Sequence, residues 1–89
     1  MGVRETIERR LREALAPERL EIVDESARHA GHAGARPEGE THFRVTVVSA
    51  AFEGLGRLER QRRVYALLAD LLRERVHALA LVCRAPGES

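Results

Sequence analysis

Hydrophobic residues in this chain change their spacing along its length, and that change limits the folds open to it. Near the start, Val3, Ile7, Leu11 and Leu15 recur every four residues with Arg and Glu between them, which puts them along one side of a helix. Pro17 ends that pattern, because its ring and missing N–H cannot continue a helix. From Thr41 to Ser49 the period falls to two, with Phe43, Val45 and Val47 on one side and His42, Arg44 and Thr46 on the other. That alternation predicts a strand with one apolar face. After a break at Gly54-Leu55-Gly56, a helical period returns from Leu58 to Arg73, where Tyr65, Leu68, Ala69 and Leu72 share a face widened by Val64, Leu67 and Leu71. The spacing predicts one helix seated on the core.

Two shorter runs complete the order. Leu20 to Asp24 contains Ile22 and Val23 and suits a strand. His77 to Arg84 is rich in Leu, Val and Ala and ends before Pro86-Gly87, which predicts a strand that is apolar on both faces and therefore central or covered. Helix, strand, strand, helical region, strand is the order of an α+β sandwich with its helices on one side of a small mixed sheet. At 89 residues the chain is one domain, and 44% hydrophobic with 33% charged residues is a globular balance. Aromatics amount to 3%, so the core must be aliphatic.

Fifteen basic residues, all of them Arg, face fourteen acidic ones and leave a formal charge of +1. A field that weak does not draw a whole chain onto phosphate backbones or an anionic membrane, so any basic patch is local. A single cysteine, Cys83, excludes an intramolecular disulfide, and Met1 is soon followed by charged residues rather than by an apolar stretch. The longest apolar run of the last third, Val76 to Cys83, is interrupted by His77 and falls far short of the roughly 20 residues that span a bilayer. A reducing cytoplasm is the expected compartment.

The chemistry-bearing motifs are few. Cys83 lies in an apolar strand with no activating neighbour in sequence, which removes it as a nucleophile. Gly54-Leu55-Gly56 has neither the third glycine of a dinucleotide site nor the Gly-Lys-Ser/Thr of a phosphate loop. The pair Asp24-Glu25 has no pocket to raise a pKa and reads as solvated surface. No enzyme is expected. Arg57, Arg60, Arg62 and Arg63 cluster where the long helix begins, and the positive end of that helix would reinforce them toward an anion. Nothing aromatic is interleaved to stack on a base, and a solvated charged face is the plainer account of the run.

The histidines concentrate instead. "HAGHAGARPEGETHF", His29 to Phe43, holds three of the four, and His77 opens the last strand. Neutral imidazole suits iron, zinc and copper, and a glycine-rich loop can bring one onto a metal without straining a sheet. Their spacing matches no standard zinc pattern, and solvent-exposed or capping histidines account for it equally well.

The stretches "LEIVDES", "GETHFRVTVVSAAFEG", "LERQRRVYALLADLL" and "VHALAL" resemble the BolA family from near the N-terminus to Leu81. The resemblance implies an α-β-β-α-α-β fold similar to the class II KH domain, with a short extra helix around Ala51 to Leu55. It implies a single domain over 1–89, with a histidine loop at about 25–41 and a flexible C-terminal tail at about 85–89. It also implies a monothiol glutaredoxin as partner and a shared 2Fe-2S cluster held by the glutaredoxin cysteine, a glutathione thiol and two side chains of this chain. Those two would be His77 and a loop histidine, His29 or His32. Imidazole in place of thiolate would raise the cluster's potential and make its lability pH-dependent. DNA-binding transcriptional regulation, through Arg57, Arg60, Arg62 and Arg63, is the alternative role the resemblance implies. A KH-type nucleotide clamp is not expected, because Gly54-Leu55-Gly56 has the wrong spacing for Gly-x-x-Gly.

Overall fold

The computed structural model describes residues 2–25 and 42–88. Helix α1 spans Val3–Leu15 and buries Val3, Ile7, Leu11 and Leu15, the four residues of the opening stripe. It ends at Ala16, whose φ of 43° is left-handed, so that Pro17 follows a finished helix. Strands β1 (Arg19–Asp24) and β2 (His42–Val48) run antiparallel, with Ile22 opposite Val45. A 3-10 helix over Ala50–Phe52 follows, then α2 (Arg57–Leu67), α3 (Ala69–Glu74) and β3 (Ala78–Arg84).

The sheet order is β1-β2-β3, and β3 lies parallel to β2 with His42 opposite Ala78 and Val48 opposite Arg84. The mixed sheet and helical face agree with the expected α+β sandwich. Phe43, Val45 and Val47 turn into a core shared with α1, Phe52, Val64 and Leu68, so the core is aliphatic apart from two phenylalanines. Ser49 is completely buried among them; its hydroxyl donates to the Leu15 carbonyl at 2.6 Å and accepts from the Ala51 N–H at 3.1 Å. One side chain thereby ties the end of α1 to the start of the 3-10 turn. No helix among the described residues is long and apolar enough to cross a membrane.

Two expectations need correction. The strand at the C-terminal end is an edge strand, and β2 is the central one. Its apolar run reflects packing of Leu79, Leu81 and Cys83 on the helical layer. The helix expected over Leu58 to Arg73 is divided at Leu68, which is buried with φ −115° and ψ 12°. The interruption leaves the Leu67 carbonyl to an outside donor, and Arg10 of α1 supplies it at 3.1 Å while also pairing with Asp70. In the C-terminal turn Ala85 is buried and its N–H donates to the Glu88 carboxylate at 3.0 Å. The short extra helix is present, shifted to Ala50–Phe52 by its Ser49 cap.

Candidate functional site

At one end of the sheet, the first residue of β2 and the residue before β3 carry imidazoles. Parallel pairing sets Ala78 beside His42, and the rings of His42 and His77 follow, with centroids 5.2 Å apart and planes tilted by 51°. His42 is 6% exposed, whereas His77 is open to solvent. Among the described residues, no hydrogen bond engages the His77 side chain. Its backbone is fixed by the ladder that begins at Ala78, and its donor nitrogens stay available.

The chain on either side of the histidine-bearing segment meets at this corner. The Glu25 N–H donates to the His42 carbonyl at 2.7 Å, and the Glu25 carboxylate lies 3.3 Å from the Arg44 guanidinium on β2. Positions 25 and 42, between which His29 and His32 fall in sequence, are thus joined next to the His77 ring. His29 and His32 themselves lie outside the described residues. Among the described residues, no three His, Cys, Asp or Glu side chains converge as a metal centre. The described donors therefore fit an iron centre only as part of a ligand set completed elsewhere. Juxtaposition of His42 with His77 escaped the sequence reading, because it depends on the parallel register of two strands separated by both helices.

The arginines at the other candidate surface are divided in use. Arg60 is 12% exposed and is spent on the fold: Nε donates to the Leu55 carbonyl at 2.8 Å, Nη1 to the Cys83 carbonyl at 3.2 Å, and Nη2 to Glu88 at 2.9 Å. Its guanidinium also lies over the Phe52 ring, 5.9 Å from the centroid. The bond from Arg60, aided by the Ala85 N–H, holds the Glu88 carboxyl down to about 2. Arg62 has a 3.6 Å pairing with Glu59, Arg63 reaches toward the Ala51 carbonyl at 3.5 Å, and Arg57 is exposed at the start of α2. Burial pushes the Cys83 thiol up, partly offset by the charge of Arg60, which keeps it an unreactive thiol at neutral pH.

A three-stranded mixed sheet with helices packed on it, and an exposed histidine just before its edge strand, is the α+β frame that carries the candidate residues. A family model described as BolA-like protein matches residues 11–88, and the chain belongs to the BolA-like family. It is 50% identical over 86 residues to human BolA-like protein 1, covering 97% of this chain, and it spans 60% of that longer relative. It is 49% identical over 81 residues to the DNA-binding transcriptional regulator BolA of Escherichia coli, covering 91% of this chain and 73% of that one. Among solved structures, BolA1 from Arabidopsis thaliana superposes with a TM-score of 0.89 at 41% identity, over 100% of this chain and 97% of that one.

Proposed function

We propose that this BolA-like chain is a non-enzymatic adaptor that shares a 2Fe-2S cluster with a monothiol glutaredoxin, in iron homeostasis or cluster handling. His77 and one loop histidine, His29 or His32, would be its two ligands, and the glutaredoxin cysteine and a glutathione thiol the other two. The observation that supports this reading is the His77 imidazole, solvent-exposed, free of hydrogen bonds among the described residues, and fixed at the corner where positions 25 and 42 join. A ligand on a rigid strand end gives a partner's iron a fixed target, while the second comes from a segment whose ends are anchored beside it. When bound, the cluster supplies reversible one-electron chemistry and exchangeable iron. His77 would contribute orientation and a ring-nitrogen donor.

The test is co-expression with a monothiol glutaredoxin, followed by visible absorption and circular dichroism. The expected result is a coloured heterocomplex, with the isolated chain colourless. A stable, coloured iron-sulfur protein purified without any partner would overturn the shared ligand set.

A second reading is DNA-binding regulation, favoured by the name of the Escherichia coli relative and by the exposure of Arg57, Arg62 and Arg63. Arg60 is unsuited to that surface, since its guanidinium is already engaged by Glu88 and two carbonyls. Absence of any duplex binding at low salt would remove this reading.

A further inference from the structure

A groove of about 260 Å3 lies between the first turns of α2 and the C-terminal half of β3, lined by Arg57, Gln61, Leu81, Val82, Cys83 and Arg84. It is remote from His77, because Ala78 begins β3 and Arg84 ends it. The lining contains two guanidiniums and no carboxylate. Among the described residues, Arg57 and Arg84 make no ion pair, in contrast to Arg60 and Arg62. The α2 N-terminus adds positive potential at the same place, since its Gly56 cap has no side chain to offer.

The adjacent sheet edge is partly taken up by contacts within the fold. In a parallel ladder successive residues point their backbone groups to opposite sides. Arg84 accepts from the Ser49 N–H on the β2 side at 2.9 Å, so Leu79, Leu81 and Cys83 face outward. Two of those outward carbonyls are already taken, Leu79 by the Tyr65 hydroxyl at 3.3 Å and Cys83 by Arg60 at 3.2 Å. The side chains of the groove are thus its most distinctive recognition groups.

We propose that this groove receives a carboxylate of a partner protein, flanked by an aliphatic residue, with the carboxylate between Arg57 and Arg84 and the aliphatic group on Leu81 and Val82. The volume is below the roughly 300 Å3 at which pockets begin to enclose whole small molecules, so it suits one projecting group of a larger partner. Two guanidiniums without a contact ion pair, Arg84 within electrostatic reach of Glu88, match the bidentate demands of a carboxylate, and Gln61 adds an amide donor. A polyanion fits less well, because Glu59 and Glu88 already pair with Arg62 and Arg60 of the same helix, leaving two arginines for a single charge. This surface is independent of the histidine corner and goes beyond the iron-sulfur reading.

The experiment is a 15N NMR titration of the full chain with an acetylated, amidated pentapeptide carrying one glutamate between two leucines. Its glutamine counterpart and a short DNA duplex are the comparison probes. Saturable shifts are expected at the amides of residues 57–61 and 81–84. Binding should weaken at least tenfold for the glutamine peptide, and for Arg57→Ala or Arg84→Ala, whose dispersed spectra report that the fold is intact. Equal binding of the glutamine peptide, shifts elsewhere or nowhere, unchanged binding by the arginine variants, or tighter binding of DNA at the same amides would each overturn the proposal.

Discussion

Glu88 grips the guanidinium of Arg60 through both carboxylate oxygens, across 28 residues of chain. The pair closes the C-terminal turn onto α2, and Arg60 reaches the Leu55 and Cys83 carbonyls from the same position. Arg60→Ala should therefore lower the urea midpoint. Arg62→Ala, on an exposed face, should change stability by no more than about 0.5 kcal/mol. If DNA is bound, Arg62→Ala should make the log-affinity against log-salt slope shallower by about 1. Equal stability of the two variants would show that the Arg60 contacts contribute nothing to folding.

The acid limb of stability follows from two carboxylates. Asp70 and Glu88 are each held at about 2, against ordinary values of 3.8 and 4.5, chiefly by hydrogen bonds from Arg10 and Arg60. Both folded-state pKa values are depressed, so their contribution is present above the ordinary values and is lost as pH falls through them toward 2. Urea midpoints measured from pH 6 down to pH 2 should decline, and Asp70→Asn with Glu88→Gln should flatten that decline. A limb as steep in the double variant would assign the acid sensitivity to other carboxylates.

Ser49 tests the junction between layers. Ser49→Ala deprives the Leu15 carbonyl and the Ala51 N–H of their partner in a fully buried place, at an expected cost of about 1–3 kcal/mol. Leu11→Ala, which empties a fully buried site on α1, should cost about 2–5 kcal/mol. Chemical denaturation checks both, and a neutral Ser49→Ala would mean that the freed groups find water.

The histidines should separate by position. With a monothiol glutaredoxin, His77→Ala should abolish the circular dichroism of the shared cluster. His29→Ala and His32→Ala singly should weaken it unequally, and together they should match His77→Ala. An unchanged spectrum for His77→Ala, with association of the apoproteins intact, would move the ligand role to other residues.

What could be read from the sequence was periodic and local. The stripe Val3, Ile7, Leu11, Leu15 and the alternation at Phe43, Val45 and Val47 both became core as read, since each needs only the geometry of its own element. The break at Leu68 was hidden because Leu67, Leu68 and Ala69 are all good helix formers. The carbonyl it frees is met by Arg10, which arrives from 57 positions away. Asp70, a residue that favours helix starts over helix interiors, was the one local hint. Likewise, four arginines in one stretch gave no sign that Arg60 would be taken by Glu88. His77 was legible as a candidate, whereas its contact with the His42 ring required the strand register.

The bond from the Glu25 N–H to the His42 carbonyl separates two evolutionary problems. Residues 26–41 are inserted between ends that the β1-β2 ladder already joins, so the entropy of closing that insertion grows only logarithmically with its length. Doubling it adds roughly 0.6 kcal/mol. A lineage can lengthen the insertion, shorten it or change its residues without repacking the aliphatic core or moving His77. The strand end that carries His77 can thereby be combined with connections of different length and composition at little cost to the core.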